Sequence, residues 1–203
     1  MKASEVAVTA PSPGGRVRDP DRKEKILGAA ADLIARNGYH SVSMSDIGTE
    51  AGITGSGIYR HFAGKSAILV ALFERIIDDL LRDEHEIVVT VADLGDAMDQ
   101  LIDGQVEFVV GDRELARVYH NEIRNLPEPD QVRLRRKQRL YVEEWVHVLR
   151  ELRNDLDDAA ARTVVHAAIG AIQSTLFHNV GLPEDRLRLS LAESARAVLG
   201  VRR

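Results

Sequence analysis

The sequence contains no cysteine in its 203 residues, which excludes disulfide bonds and metal sites with cysteine ligands. It has no apolar run of the roughly 18 residues that a membrane-spanning helix requires. It also has no continuous apolar segment near its start that would serve as a secretory signal. We therefore expect a cytoplasmic protein. What is present is an ordinary globular balance of 44% hydrophobic and 29% charged residues, in a chain long enough to bury a hydrophobic core.

The stretch from Met44 to Lys65 carries the most information about function. We predict a first short helix over Ser45–Ala51, capped by Ser45, because a serine oxygen can accept the free N–H groups of a first helical turn. Gly52 can then adopt the left-handed conformation with which helices commonly end. A second short helix is predicted over Gly55–Phe62, so that two helices meet at a tight glycine turn.

Two short helices around a tight turn are typical of a helix-turn-helix, whose second helix reads the major groove of DNA. Ile58 and Phe62 share the inner face of the second helix, and Thr54 or Ser56 can cap it. The side chains left outside suit DNA because they carry hydroxyl, aromatic and cationic groups. They are Thr54, Ser56, Tyr59, Arg60 and His61, with Lys65 just beyond.

Together with its flanks, this stretch resembles the TetR family of bacterial transcriptional regulators. The resemblance covers about residues 22–82 and is specific because many positions agree in register. Gly48 departs from it, since the family usually has alanine there, and glycine inside a helix costs up to about 1 kcal/mol relative to alanine. The matching residues are Ile26, Ala29, Ala30, Leu33, Gly38, Met44, Asp46, Ile47, Ala51, Gly52, Ile53, Thr54, Ile58, Tyr59, His61, Phe62, Lys65 and Leu69.

The resemblance implies an all-α fold of about nine helices. A three-helix DNA-binding domain is expected to precede a larger helical domain for ligand binding and dimerisation. It further implies a homodimer that binds double-stranded DNA at a near-palindromic operator and leaves it when a small hydrophobic ligand binds.

The residues expected at the DNA are Ser45, Thr54, Gly55, Ser56, Gly57, Tyr59, Arg60, His61 and Lys65. Among them, Tyr59, His61 and Lys65 should hold the phosphate backbone, as the corresponding motif positions do in the family. Thr54, Ser56 and Arg60 should reach base edges, since arginine can bind guanine through two hydrogen bonds. A phosphate contact is the alternative for Arg60. Gly55 and Gly57 should allow close approach.

The net charge of −5 is unevenly distributed along the chain. Residues 1–66 hold nine Lys and Arg and seven Asp and Glu, a net charge of +2, whereas residues 67–203 hold eighteen and twenty-five, a net charge of −7. Phosphate binding requires local positive charge rather than a basic whole chain. We therefore expect a DNA-binding domain over residues 21–66 and a second domain over 67–203. Residues 1–20 are rich in proline and glycine and are predicted to form a disordered arm.

Apolar spacing predicts that the rest of the chain is helical. One long helix is expected over Asp21–Asn37 and another over Lys65–Thr90, which leads from the DNA reader into the second domain and is the obvious mechanical link. Further helices are predicted over Ala92–Val110, Arg113–Leu126, Pro129–Arg153, Asp157–Val180 and Glu184–Val201.

The last two predicted helices have broad faces of small, β-branched and other apolar residues, for example Ala161, Val165 and Leu191. Two such helices from each of two copies would form a four-helix dimer interface. The alternative is that they only close the core of a single chain, and the family resemblance favours the dimer.

A cluster of cationic residues lies on the predicted helix over Pro129–Arg153. Because Leu134 and Trp145 mark a normal buried stripe beside it, we interpret the cluster as an outer face that pairs with Glu143 and Glu144. A second nucleic-acid site is the alternative. The cluster comprises Arg133, Arg135, Arg136, Lys137 and Arg139.

Candidate ligand contacts are polar or aromatic residues embedded in the apolar stripes of the second domain. Arg124 is the most interesting, because a cation beside an apolar cavity suits a carboxylate or phosphate on a hydrophobic molecule. The same region is similar to regulators of fatty-acid or acyl-CoA metabolism, which favours an acyl-CoA or fatty acid over a drug or antibiotic. The candidates are Tyr119, His120, Arg124, Trp145, Phe177, His178 and Asn179.

The competing functional hypothesis is a helical enzyme or lipid carrier with an incidental helix-turn-helix. The sequence has no Gly-x-Ser-x-Gly elbow and no zinc-protease histidine pair, and its seven histidines are scattered. We therefore expect no catalytic residue, no metal and no cofactor. The choice between repressor and activator stays open.

Overall fold

A computed structural model describes residues 22–178 and 181–201. The expected N-terminal arm and the ligand candidate Asn179 lie outside these residues. Within them the regular structure is entirely helical, which confirms the predicted all-α fold. The α-helices are α1 (Arg22–Asn37), α2 (Met44–Glu50), α3 (Gly55–Ile58), α4 (Lys65–Thr90), α5 (Leu94–Gly111), α6 (Arg113–Glu122), α7 (Glu128–Leu152), α8 (Asp158–Gln173) and α9 (Glu184–Leu199).

Three short 3₁₀ turns accompany these helices, and two of them account for differences from the sequence prediction. Helix α6 gives way to a turn at Ile123–Asn125 ahead of Pro127, since a residue before proline is disfavoured in the helical conformation. Helix α8 likewise ends in a turn at Ser174–Phe177. The third turn, Tyr39–Ser41, connects α1 to α2.

Helices α1 to α3 form the reading head, and helices α5 to α9 form the body. Helix α1 buries Ile26, Ala30 and Ile34 behind the other two helices, where Ile47 of α2 and Ile58 of α3 are fully buried. This arrangement is the one that the spacing of apolar residues predicts.

Helix α4 joins the head to the body. Ile68 and Leu69 on its first turns, and Phe73 and Ile76 further along, belong to one continuous apolar core with both parts. Helix α4 packs on α1 near its start and on α7 along its length. No helix in residues 22–178 or 181–201 combines the length and the apolar character needed to cross a membrane.

The cap of α2 is one feature that the sequence prediction missed. The structure places Ser43 rather than Ser45 at the cap, where its Oγ accepts the N–H of Asp46 at 3.2 Å. Asp46 Oδ2 in turn accepts the N–H of Ser43 at 2.8 Å, so the two residues form a capping box. The hydrogen bonds from Ser43 lower the pKa of Asp46 below its ordinary value. Ser45 lies inside the first turn and is exposed.

We expect Ser43→Ala to lower the free energy of unfolding by about 1 kcal/mol, because the first turn of α2 loses its side-chain cap. Ser45→Ala is the matched control and should change it by less than about 0.5 kcal/mol. Urea denaturation followed by circular dichroism measures both. Equal effects of the two substitutions would contradict the assignment of the cap to Ser43.

Candidate nucleic-acid interface and buried polar groups

The corner between α2 and α3 ends α2 with two backbone hydrogen bonds. Gly52 has a φ of 65°, and its N–H donates to the Thr49 carbonyl at 3.0 Å. The N–H of Ile53 donates to the Gly48 carbonyl at 2.8 Å. This is a Schellman motif, in which glycine supplies the left-handed residue at no steric cost. The predicted role of Gly52 is therefore confirmed.

Helix α3 is shorter than the predicted Gly55–Phe62. Its α-helical part is a single turn, after which the N–H of Arg60 donates to Gly57 at 3.2 Å and that of His61 to Ile58 at 3.0 Å. These tighter bonds carry the chain as turns towards α4. Ile58 and Phe62 are buried, as predicted.

Gly57 fills a packing role at this corner. A Cβ at that position would lie 2.6 Å from Cγ2 of Ile53 and 3.1 Å from Oγ1 of Thr54. The missing side chain therefore points towards the turn, which the sequence analysis did not predict, and close approach of DNA at Gly57 stays a prediction.

The outer side of α3 presents the residue types that the sequence predicted. Thr54, Ser56 and Arg60 are exposed, and Tyr59 is 59% exposed. His61 is half-buried. The Arg60 guanidinium pairs with no acidic group among the residues that the structure describes. An unpaired cation beside hydroxyl and phenol groups can bind a phosphate or a base edge without first breaking an ion pair.

Lys65, which was predicted to contact phosphate, binds two backbone carbonyls of the protein itself. Its ammonium donates to the carbonyl of Tyr39 at 2.8 Å and to that of Val42 at 2.9 Å. It also lies 4.4 Å from the centre of the Tyr39 ring. Lys65 therefore fastens the first turn of α4 to the segment before α2. A phosphate contact by its remaining N–H stays a prediction.

Ion pairs fix the head against its surroundings. Arg36 pairs with Glu50 at 3.1 Å inside the head, and Arg75 of α4 pairs with Glu24 of α1 at 3.2 Å. His40 lies 3.4 Å from Glu122 at the end of α6, so the head also contacts the body directly.

The proposed ligand residues separate into a buried and an exposed group. Tyr119 and Trp145 are buried in the body. The Tyr119 hydroxyl accepts a hydrogen bond from Gln138 at 3.1 Å, and its ring packs edge-on against Phe73 at 4.8 Å. Burial raises the pKa of Tyr119 to about 12.

His120, Phe177 and His178 are exposed, and the rings of the first two meet at 5.0 Å. Arg113 donates to the carbonyl of His178 at 2.9 Å. Phe177 lines a surface cleft of about 380 Å³ together with Arg113. Arg124 is also exposed, so its cation does not lie beside a buried apolar space as predicted. His120 lies within α6, whereas Arg124 and Phe177 lie in the 3₁₀ turns that follow α6 and α8.

Sequence reasoning missed a set of polar groups inside the body. Glu84 of α4, Gln105 of α5 and Tyr141 of α7 are buried. The Tyr141 hydroxyl donates to Oε1 of Gln105 at 2.9 Å. A signal was available, because Glu84 follows Ile77 by seven residues and Leu80 by four, on the apolar face of α4.

Two residues of the cationic cluster of α7 form ion pairs, but not with the predicted Glu143 and Glu144. Lys137 Nζ lies 2.6 Å from Asp78 of α4. Arg133 pairs with Glu74 of α4 and with Asp130 of its own helix. These two cations join α7 to α4 and are therefore not free to bind nucleic acid, whereas the other three residues of the cluster are exposed.

An exposed helix-turn-helix that shares one core with a helical body defines a DNA-binding regulator. Residues 26–72 match the profile of bacterial regulatory proteins of the tetR family. Residues 91–176 match that of the tetracyclin repressor-like C-terminal domain. The chain therefore belongs to the TetR family of transcriptional regulators.

Individual proteins are also similar to this chain. The fatty acid metabolism regulator protein of Bacillus subtilis (strain 168) is 26% identical over 165 residues, which are 76% of this chain and 83% of that protein. The crystal structure of FadR from Bacillus subtilis in complex with stearoyl-CoA has a TM-score of 0.69 at 23% identity, covering 85% of this chain and 96% of that one. The structure of AibR with isovaleryl coenzyme A and operator DNA has a TM-score of 0.71 at 17% identity, covering 84% and 96%.

The contacts of Lys65 lead to a prediction about stability. Lys65→Ala should lower the free energy of unfolding by about 2 kcal/mol, because two carbonyls lose a charged donor. Arg60→Ala should change it by less than about 0.5 kcal/mol, since that side chain is exposed and unpaired. Thermal and urea denaturation measure the difference. If Lys65→Ala unfolds like the unsubstituted protein, the ammonium does not hold the head to α4.

Proposed function

We propose that this protein is a homodimeric repressor that binds a near-palindromic operator and is released from it by an acyl-CoA or fatty acid. The observation that carries the proposal is the unpaired Arg60 on the exposed side of a helix-turn-helix that is built into one core with the body. Such a protein acts as a regulator rather than an enzyme, and it works where the bacterial DNA lies, in the cytoplasm.

The proposed side-chain contacts with DNA are exposed on the outer side of the helix-turn-helix, apart from His61, which is half-buried. Arg60, with the hydroxyls of Thr54 and Ser56, reaches base edges, whereas Tyr59 and His61 hold the phosphate backbone. Gly55 at the start of α3 and Ser45 on α2 lie at the same interface. The DNA-binding domain spans residues 21–66, and residues 67–203 bind the ligand and the second copy.

The dimer forms through α8 and α9. Ala167 and Gly170 are exposed on α8, and Leu189 is 59% exposed on α9. Exposed small and apolar residues on these two helices support their burial against a second copy, as a two-fold symmetric interface requires.

The ligand class is supported by the solved relatives that contain stearoyl-CoA and isovaleryl coenzyme A. A ligand that enters the body beside α4 displaces that helix, and the head moves with it because the two share a core. Such a ligand shifts the DNA equilibrium only by its preference for the released conformation, and we expect a coupling of about 1–3 kcal/mol.

Arg60→Ala should relax the base preference at one position of each half-site, because a bidentate contact to guanine discriminates by about 1–3 kcal/mol. Sequencing of operators selected from a random library measures this. Arg36→Ala is the matched control, since Arg36 is a cation of the same head that is already paired with Glu50. If the selected operator is unchanged by Arg60→Ala but binding weakens uniformly, Arg60 contacts phosphate instead.

Control of operator binding by a ligand predicts that operator and ligand weaken each other's binding by the same factor. Butyryl-, octanoyl- and palmitoyl-CoA should be titrated into the protein with and without operator. The inducing thioester should weaken operator binding by about 5–150-fold, and operator should weaken thioester binding by the same factor. A thioester that binds with equal affinity in both titrations is not the inducer. If none of the three shows linkage while operator stays bound, the proposed ligand class is wrong.

A further inference from the structure

The body contains a buried carboxyl group that no hydrogen bond satisfies. Glu84 of α4 is 2% exposed, and neither of its carboxyl oxygens has a partner among the described residues. A buried polar group without a partner costs about 1–3 kcal/mol. A glutamate retained at such a cost is a candidate for binding something that enters the body.

The register of α4 against α7 shows what surrounds Glu84. Glu74 pairs with Arg133 and Asp78 with Lys137, so both contacts join residues 59 positions apart and the two helices run in parallel. The same offset of 59 residues, continued along both helices, places Glu84 at the level of residue 143 of α7. The inward-facing residues of α7 just before and just after that position are therefore its neighbours.

Two aromatic residues of α7 lie at that level. Tyr141 and Trp145 are buried, with ring centres 6.2 Å apart. The Trp145 indole is a second buried polar group, and its Nε1 has no hydrogen-bond partner in the described part of the chain. Burial raises the pKa of Tyr141 first, and the nearby charge of Glu84 raises it further. The Trp145 indole lies close enough to lower that pKa slightly, yet the two groups do not form a hydrogen bond of normal geometry.

The protonation state of Glu84 makes this group of buried side chains, Glu84, Tyr141 and Trp145, a set of hydrogen-bond donors. Burial, and to a smaller extent Glu144, raises the pKa of Glu84 to about 9. The carboxyl is therefore protonated at neutral pH and carries an O–H. Its O–H and the N–H of Trp145 are donors without acceptors, while the O–H of Tyr141 is bound to Gln105.

We propose that Glu84 and Trp145 form the polar contact site for the ligand, with Tyr141 packed beside them, and that their O–H and N–H bind an uncharged carbonyl oxygen such as that of an acyl thioester. This deepens the proposed function and rests on it. A free fatty-acid carboxylate is disfavoured, because burying its charge beside the carboxylate of Glu144 costs more than burying a neutral thioester. A cation is disfavoured because it cannot accept the N–H of Trp145.

The proposed route to the site is between α4 and α7. Glu84, Tyr141 and Trp145 are buried, and surface clefts of about 380–480 Å³ elsewhere on the described part of the chain are lined by other residues. We expect a carbonyl that reaches Glu84 to part the two helices. Because α4 continues into the reading head, the same movement reaches the DNA-binding surface.

The site is tested with matched ligands that differ in one group. The probes are palmitoyl-CoA, S-hexadecyl-CoA, which lacks the carbonyl oxygen, and palmitic acid; shorter chains replace them if octanoyl- or butyryl-CoA binds more tightly. Trp145 is the only tryptophan of the chain, so its fluorescence reports on the site directly. We expect about tenfold tighter binding of the thioester than of the thioether, and weaker binding still of the free acid.

Three variants separate a binding role from a structural one. Glu84→Leu should abolish the preference for thioester over thioether and raise the melting temperature of the free protein by about 2–4 °C, because an unsatisfied group is removed. Glu84→Gln should keep the preference, since an amide still donates. Trp145→Phe, followed by calorimetry, should reduce the preference. Glu86→Leu, at an exposed site on the same helix, is the control and should leave the preference unchanged.

The outcomes are distinguishable. If palmitoyl-CoA releases operator but binds no better than the thioether, or if Glu84→Leu keeps the preference, the site is wrong and the proposed function stands. If Glu84→Leu lowers the melting temperature, Glu84 has a structural partner and the site is also wrong. If no acyl-CoA binds or releases operator, the ligand class and this site fail together.

Discussion

The packing of helix α4 into a core shared by the reading head and the body is the constraint on which the rest of the structure depends. Helix α4 contributes Ile68, Leu69, Phe73 and Ile76 to one buried core that also contains apolar residues of the reading head and of the body. Exposing these residues would cost about 1.5–3 kcal/mol per side chain. The head therefore cannot rotate freely on the body. A change in the packing of α4 within the body must reach the DNA-binding surface, which is the mechanical condition for control by a ligand.

The cations of the head divide between structure and recognition. Lys65 is half-buried, and its ammonium holds two backbone carbonyls across the junction with α4. Arg60 is exposed on the outer side of the turn after α3, and no described acidic group pairs with it. A charge that already has good partners gains little from DNA, whereas an unpaired one gains a partner on binding. This difference, rather than the number of cations, is the basis on which we propose Arg60 for DNA recognition in a chain whose net charge is −5.

Helices α4 and α7 are joined by ion pairs near the middle of α4. Further along α4, the contact buries a carboxyl group that has no hydrogen bond among the described residues. Lys137 with Asp78 and Arg133 with Glu74 hold the register near the middle of α4. Glu84 lies beyond them, buried without a hydrogen bond. Separating the helices there would let the carboxyl of Glu84 gain a partner, at the cost of exposing the buried rings of Tyr141 and Trp145. The proposed ligand would offset that cost by supplying a hydrogen-bond acceptor.

The sequence by itself determined the helical fold, the bounds of α4, the corner at Gly52 and the exposed residues after it, because these depend on apolar spacing and on the conformations of neighbouring residues. Only the tertiary structure decided which groups are partners. Lys65 bonds to carbonyls more than twenty residues away, Arg124 lies on the surface, and Glu84 is enclosed by a helix some sixty residues distant. Local periodicity can place a polar side chain such as Glu84 on the inner face of its helix, but it carries no information about the element packed across from it, and that element decides its partners.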